Sequence, residues 1–332
     1  MKLHIKSQAV IMLGGVFLLL NLASTFASAQ STGAGSGLKI SPVRTDLTID
    51  PGKSDSVVIT VNNVTSVETT YDAIVNDFVA GNDELGQPAL ILDADKYAPS
   101  HSLKRYIRPI SSLTVPAGAS KQVTATINIP KDAAAGGYYG AVRFVPASTG
   151  LSEKNITLSA SVGTLILVKV PGDINENMKL ESFDVRSSKE DGKASTFFTG
   201  SKELYAVARF KNLGNVHEQP FGKVVLKKGD KVLQTVEINN TDPKGNVLPD
   251  SIRRFGVKLD KVGLWGKYTV EGNFGYGSTG QLISGKTSFF VLPLAFIVGI
   301  LILLAVLIGM IFGLPRAIKR YNAGVLRRAG RR

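Results

Sequence analysis

Leu113–Asn128, with the sequence LTVPAGASKQVTATIN, and Leu47–Asn62, with the sequence LTIDPGKSDSVVITVN, are two copies of one pattern placed 66 residues apart. Each copy predicts a strand, a turn and a second strand, because Pro51 and Pro116 fix φ and the glycines that follow allow the positive φ of tight turns. After each turn every second residue is apolar, which indicates a strand with one buried face. We interpret the copies as two similar hairpins within one β-sandwich, with a structural role.

The same kind of pattern extends on both sides of the repeat. Short segments rich in Val, Ile and Thr, separated by Pro, Gly and Asn about every ten residues, are typical of a sandwich. Leu165–Val168 is apolar throughout and predicts a strand buried on both sides that closes the first domain. Further strands are predicted at Leu204–Phe210, Lys223–Leu226, Lys231–Ile238, Arg253–Leu259 and Tyr268–Phe274, with a hairpin turn at Gly229-Asp230 and with Trp265 packed inside the second domain. The predicted fold class is all-β: two tandem immunoglobulin-like β-sandwich domains, 38–172 and 173–288, plus one C-terminal transmembrane helix.

The last part of the chain predicts a membrane anchor. Residues 289–314 form a run of 26 without an ionisable side chain, enough to cross a hydrocarbon core as a helix. Residues 315–332 carry seven basic residues and no acid, which favours a cytoplasmic tail. At the other end of the chain, the sequence predicts a signal peptide over residues 1–29 that is cleaved before Gln30; the alternative is an uncleaved second membrane span. Residues 30–37 are predicted to be a flexible leader. We therefore expect a single-pass type I protein of the cell membrane, with its domains extracellular.

Composition excludes several classes of function. The formal net charge is +13, but the signal and the tail hold most of it and leave +4 for the exterior, which argues against a nucleic-acid partner. The chain has no cysteine, so thiol catalysis and cysteine-bound metals are excluded. His101 and His217 lie far apart in the sequence, and no nucleophile or phosphate-binding motif occurs. We expect a non-enzyme without cofactor or metal; a pair of carboxylates that cleaves a glycan remains an alternative.

The candidate binding residues are aromatic and basic. Arginine can hold carboxylates or phosphates, and tyrosine faces suit sugar rings. The competing interpretation places Arg105 and Ile107 on opposite faces of an edge strand, where the charges only keep that edge soluble. One of the two tyrosines in Gly136–Gly140 is expected to be structural. The predicted ligand-binding residues are Tyr97, Lys104, Arg105, Tyr106, Arg108 and Tyr139.

One part of the chain resembles a known family. The segments that carry the resemblance are His101-Ser102-Leu103, Tyr106-Ile107, Leu113–Gly118, Ile129–Ala133 and Gly136–Gly140. Over about residues 38–170 the sequence is similar to the WxL-interacting protein family. The resemblance implies a first domain that binds peptidoglycan, a second that binds a host or partner ligand, and an arrangement of signal, two sandwiches, span and basic tail.

Two non-catalytic functions follow as hypotheses. In the first, a membrane-anchored cell-surface protein binds peptidoglycan or another wall polymer and also holds a surface protein. In the alternative, the chain is a subunit or chaperone of an envelope complex, assembled through strand edges and the transmembrane helix. The small residues Ala305, Gly309 and Gly313 share one helix face, which would let two helices approach and leaves a homo-oligomer open. In both hypotheses membrane lipid contacts the helix and the basic tail.

Overall fold

The computed structural model describes residues 37–147, 161–188 and 192–329. The predicted signal peptide, and the leader up to residue 36, lie outside these ranges. The described residues form seventeen strands in four sheets, one short 3₁₀ turn and one long C-terminal helix. The predicted all-β class with a single apolar helix at the end is confirmed.

The first two sheets pack face to face. One has the order β1-β3-β7, and the other has the order β2-β9-β8-β4-β5 with β6 also paired to β4. Their shared core contains Ile59, Tyr71 and Phe144, each at most 1% exposed. These strands are β1 Leu38–Ser41, β2 Arg44–Thr48, β3 Ser54–Asn63, β4 Thr69–Ala80, β5 Pro88–Leu90, β6 Leu113–Val115, β7 Ser120–Asn128, β8 Gly136–Pro146 and β9 Val162–Val170.

The repeated stretches are not hairpins, so that prediction is wrong. β3 and β7, the second strands of the two copies, pair with each other from Ser54 opposite Asn128 to Asn62 opposite Ser120. The first strands, β2 and β6, pair with β9 and β4 in the opposite sheet. Each turn therefore crosses from one sheet to the other. The predicted positive φ is present at Gly52 (78°) and Gly118 (66°), because turn geometry is local whereas the choice of partner strand is not.

The other two sheets form a second sandwich. One has the order β10-β12-β15 and the other β11-β17-β16-β13-β14, and Phe210 and Phe274 meet edge to face between them at 5.1 Å. The predicted strands correspond to β12 to β16, and the hairpin turn at Gly229-Asp230 is confirmed. The strands are β10 Met178–Arg186, β11 Phe197–Phe198, β12 Tyr205–Asn212, β13 Phe221–Lys228, β14 Lys231–Ile238, β15 Ile252–Lys258, β16 Gly266–Tyr276 and β17 Gln281–Val291.

The aromatic core of the second sandwich does not include Trp265, so that prediction is wrong. Trp265 is 66% exposed at the bend that precedes β16. Tyr268 takes the interior place instead, 1% exposed and stacked on Phe289 at 5.4 Å. The side chains of a strand alternate between its two faces, and the tryptophan lies outside the strand where that alternation begins.

A fully buried asparagine occupies the same place in each sandwich. Asn63 ends β3 and Asn212 ends β12. Each amide nitrogen donates to the carbonyl four residues ahead and to a carbonyl of a distant segment, and each amide oxygen accepts from the backbone two residues ahead. The acceptors are Val67 (2.7 Å) and Val115 (3.0 Å) for Asn63 and Val216 (2.7 Å) and Val247 (2.9 Å) for Asn212, and the donors are Thr65 (3.0 Å) and Gly214 (2.8 Å). Buried amides require such partners, so both asparagines tie a strand end to the following loop.

The C-terminal helix α1, Leu294–Ala329, begins later than the apolar run predicts. The first three residues of that run, Phe289–Val291, belong to β17, and Phe289 is 2% exposed against Tyr268 and Phe198. An apolar run does not distinguish side chains buried in a protein core from side chains that face lipid. Within α1, Leu294–Gly324 is long and apolar enough to cross a membrane, and most of its side chains are exposed.

The two sandwiches contact each other through the outer face of β4, β8 and β9. Phe78, Tyr139 and Leu167 form a small buried cluster there, and Leu248 of the second sandwich packs against it. The strand prediction for Leu165–Val168 is confirmed, because Ile166 and Val168 face the core of the first sandwich and Leu167 faces the second. This contact places the ends of β4 and β8 beside the second sandwich.

Candidate functional site

A long loop between β5 and β6 is held by one buried carboxylate. Asp77, near the end of β4, is fully buried and accepts hydrogen bonds from the backbone N–H groups of Ala98 (2.9 Å) and Lys104 (2.8 Å). A second tie joins His101 to β8, where the backbone of Tyr139 donates to the His101 carbonyl at 2.8 Å. We call residues 97–108 the binding loop, because five of the six predicted ligand-binding residues lie in it. Its backbone is fixed to the sandwich, so the side chains it exposes are held in defined positions.

The binding loop brings three of the six predicted site residues together. Tyr97 is 44% exposed, the Lys104 ammonium lies 4.7 Å from its ring centroid and the Arg105 guanidinium lies 4.5 Å from it. The Lys104 ammonium also donates to the carbonyls of Ala94 (2.5 Å) and Lys96 (3.1 Å). Lys104 therefore holds the loop, while the exposed guanidinium of Arg105 is available to an anionic ligand.

Tyr106 and Arg108 also belong to the binding loop but do not join this group. Tyr106 is half-buried, with its ring edge to face with Tyr138 at 5.3 Å. Arg108 is exposed and its backbone donates to Thr126 of β7 at 2.9 Å. The interpretation of this segment as an edge strand is wrong, because Lys104–Tyr106 form a 3₁₀ turn. Ile107 is nevertheless buried and Arg105 exposed, as that interpretation expected.

Tyr139 is buried between the two sandwiches. It is 3% exposed and its ring lies 5.8 Å from Phe78, 5.8 Å from His101 and 5.7 Å from His217 of the second sandwich. Burial raises the pKa of its hydroxyl well above the usual range. Tyr139 is positioned to join the sandwiches, and it also lines the cleft described next.

A cleft of about 460 Å³ lies between the sandwiches beside the binding loop. Pro99, Ser100 and His101 line it from the loop, and residues 248–252 line it from the second sandwich. The His101 ring is fixed by a contact of 2.5 Å between its Nδ1 and the Gly137 carbonyl oxygen. The same loop therefore supplies both the exposed Tyr97 and Arg105 group and one wall of the cleft.

Glu84 closes the other side of the cleft and binds the second sandwich. The Arg209 guanidinium donates to both carboxylate oxygens, at 2.7 and 2.5 Å, and Arg254 Nε lies 3.7 Å away. The hydrogen bond from Arg209 is the main reason that the pKa of Glu84 lies below its usual value. The carboxylate is thus already paired, whereas Asp250, which also lines the cleft, is exposed.

A second interdomain cavity has a volume of about 330 Å³. Two of the residues that line it, His217 and Glu218, are titratable, and burial favours the uncharged form of each. Burial, with a smaller effect of nearby Glu176, raises the pKa of Glu218 to about 7, and burial lowers the pKa of His217 to about 4. Glu218 Oε2 accepts from the Gly277 backbone at 3.0 Å, and Lys169 bonds Glu176 at 3.2 Å. In residues 37–147, 161–188 and 192–329 no group of three or more His, Asp or Glu side chains is arranged to hold a metal ion.

Sequence reasoning missed Asp77, Glu84 and His217, which hold the binding loop and the interface. Asp77 stands at every second position after Tyr71, Ala73 and Val75, which face the core, and an acid at the next position of this series was the available signal. Glu84 carries no such signal, because its partner Arg209 is 125 residues away.

Comparison with known proteins identifies the first sandwich. A family model described as "WxL Interacting Protein, peptidoglycan binding domain" matches residues 45–145, and no curated protein matches the chain. Among solved structures, the class 5 fimbriae chaperone CfaA is 14% identical and aligns over 77% of this chain and 100% of its own, with a TM-score of 0.37. The E. coli chaperone DraB is 13% identical over 76% of this chain and 96% of its own, with a TM-score of 0.32. Residues 45–145, which run from β2 through most of β8 and include the binding loop, belong to the peptidoglycan-binding domain family of the WxL-interacting proteins.

Proposed function

We propose that this chain is a non-catalytic, membrane-anchored protein that binds the cell wall, with the first sandwich on peptidoglycan and the second on a surface protein. The observation that carries the proposal is that the family match contains the binding loop, whose exposed side chains suit an anionic glycan polymer. The C-terminal helix supports anchoring in the membrane.

The chemistry of the binding loop fits peptidoglycan. The face of an exposed tyrosine packs against sugar rings, and a guanidinium holds a carboxylate of a peptide stem through two parallel hydrogen bonds. Tyr97 and Arg105 supply these groups within one contact distance of each other. The adjacent cleft has room for a sugar or a short peptide and is lined by Ser100 and His101.

The orientation in the membrane follows from the charge of the two flanks of the helix. The basic residues from Arg316 onward remain in the cytoplasm because short basic segments resist translocation. The sandwiches are then displayed outside, where the wall polymer is. This topology is part of the proposal, as is a single-pass type I arrangement after signal cleavage.

A sedimentation experiment tests the wall-binding function. The full chain in detergent should sediment with purified wall sacculi at low salt, and Arg105→Gln or Tyr97→Ala should weaken this binding. Lys121→Gln, which removes an exposed charge from β7 of the same sandwich, is the matched control and should bind as the unaltered chain does. Failure of the unaltered chain to sediment would refute wall binding, whereas equal loss in all three variants would refute the role of the loop.

The alternative function, a subunit or chaperone of an envelope complex, has one structural observation in its favour. β14 is the last strand in the order of its five-stranded sheet, and its Val232 is 52% exposed. An outer strand of this kind can pair with a strand of another chain. Crosslinking in membranes tests assembly through the helix: if Gly309→Leu with Gly313→Leu leaves a crosslinked dimer intact, pairing through that helix face is excluded.

A further inference from the structure

The second sandwich is joined to the membrane helix by a very short connection. β17 ends at Val291 and α1 begins at Leu294. An extended chain covers at most about 3.6 Å per residue, so the end of β17 lies within about 10 Å of the first helical residue. The headgroup layer on each side of a bilayer is about 5 to 8 Å thick. The end of the sandwich next to Val291 must therefore lie at or in this layer.

Exposed aromatic and aliphatic side chains are concentrated at that end. Gly266 and Phe198 are the strand partners of Val291, so the neighbouring residues of both strands lie beside the start of the helix. Leu264 is 75% exposed and Trp265 66% exposed, in the bend before Gly266. Phe197 and Phe290, 46% and 38% exposed, stack on each other with centroids 6.3 Å apart. We call Phe197, Leu264, Trp265 and Phe290 the apolar rim.

Lysines surround the apolar rim. The Lys228 ammonium lies 5.5 Å from the Trp265 ring and donates to its carbonyl at 3.1 Å. The segments at this end, 199–204, 228–231 and 258–267, contain six lysines and three acidic residues. Two of the acids, Glu203 and Asp260, both pair with Lys258. The lysines are Lys202, Lys228, Lys231, Lys258, Lys261 and Lys267, and the third acid is Asp230.

We infer that the apolar rim and its lysines form a membrane-docking surface that inserts into the headgroup layer of a bilayer containing anionic lipid. This inference rests on the anchoring part of the proposed function and adds a defined contact between the second sandwich and lipid. Tryptophan and lysine are the residues that prefer this layer, because one part of each side chain is apolar and the other is polar or charged. Continuity with the helix identifies lipid as the occupant, since the connection from β17 keeps this end of the sandwich at the bilayer.

Fluorescence of the full chain in vesicles tests the inference, because Trp265 is the only tryptophan of the sequence. The chain is reconstituted in phosphatidylcholine and phosphatidylglycerol vesicles whose acyl chains carry bromine at shallow or deep positions. We expect a loss of Trp265 emission that is larger with shallow bromine than with deep bromine, and little quenching by iodide in the buffer. Strong iodide quenching with no effect of brominated lipid would overturn the inference.

A matched control moves the tryptophan to the opposite end of the same sandwich. Phe221 at the far end of β13 is 45% exposed and has the Lys244 ammonium 5.0 Å from its ring, so its surroundings resemble those of Trp265. Seven residue steps along a strand separate Phe221 from Lys228 by about 24 Å. In the double variant Trp265→Phe, Phe221→Trp, brominated lipid should leave the emission unchanged; quenching equal to that of the unaltered chain would refute the docking surface.

Two further measurements separate the possible failures. Flotation of the chain with vesicles reports anchoring, so a chain that does not float contradicts both the anchor and the docking surface. A chain that floats without shallow quenching contradicts the docking surface alone. Lys261→Gln with Lys267→Gln should reduce quenching in vesicles containing phosphatidylglycerol more than in pure phosphatidylcholine, and an equal effect in both would refute the role of anionic lipid.

Discussion

Replacing Asp77 by alanine should release the binding loop. The Asp77 carboxylate is fully buried and accepts the backbone N–H groups of Ala98 and Lys104 at 2.9 and 2.8 Å. Its removal leaves one buried and one part-buried donor without an acceptor, and an unpaired buried group costs about 1–3 kcal/mol. The expected loss is therefore about 2–6 kcal/mol, unless the loop opens locally and exposes both groups to water. Asp77→Asn keeps one acceptor oxygen and should lose about half as much.

Amide hydrogen exchange of Ala98 and Lys104 measures this effect directly. A loss of about 2 kcal/mol corresponds to exchange about thirty-fold faster, because each 1.4 kcal/mol is a factor of ten. Asp72→Ala is the matched control, since Asp72 lies on the same strand and accepts one surface hydrogen bond from Ser112 at 2.6 Å. Surface changes of this kind alter stability by about 0.5 kcal/mol or less. Equal exchange rates in Asp77→Ala and Asp72→Ala would refute the role assigned to Asp77.

Three further predictions concern stability and the interface. Asn63→Ala and Asn212→Ala each remove three hydrogen bonds between the side-chain amide and the backbone, so each should lower the free energy of unfolding by about 2–4 kcal/mol in urea titrations; a loss below about 0.5 kcal/mol would contradict this. Burial raises the pKa of Glu218 from 4.5 to about 7, so the folded chain keeps a proton that the unfolded chain releases. The contribution of Glu218 to stability should therefore fall as the pH rises through this range, whereas buried His217, whose pKa is lowered to about 4, contributes in the opposite direction. The free energy of unfolding of the unaltered chain minus that of Glu218→Gln, measured in urea titrations, should decrease with rising pH, and a difference independent of pH would contradict this. The hydrogen bond from Arg209 lowers the pKa of Glu84. The pair therefore stabilises the interface fully at pH values above the usual carboxyl pKa, and this stabilisation is lost as the pH falls through the lowered pKa. Glu84→Gln should broaden the distribution of interdomain distances in small-angle scattering at neutral pH, and an unchanged distribution would argue against that role.

The sequence alone was sufficient for features that depend on near neighbours. The turns at Gly52 and Gly118, the hairpin at Gly229-Asp230 and the strands β12 to β16 follow from alternation and from residues with special φ, which act within about ten positions. The apolar run near the end predicted a helix for the same reason. The start of that helix was misplaced, because Phe289 is equally apolar whether it contacts Tyr268 or lipid.

The candidate site was only partly predictable. Tyr97, Lys104 and Arg105 are close in sequence, and the loop does bring them together. Tyr139 was grouped with them as an aromatic residue, but the second sandwich covers it. Its surroundings depend on His217, which is 78 residues away, and no local pattern records that distance.

The sequence by itself determined the all-β class, about half of the strands, the tight turns and the segment that can enter a membrane. Only the tertiary structure decided that β3 pairs with β7, that Asp77 holds the binding loop and that Trp265 lies outside the core beside the helix. The physical reason is that propensity and alternation act between neighbouring residues. The pairing of strands, the burial of charged side chains and the exposure of apolar ones depend on which distant segments come into contact when both sandwiches fold.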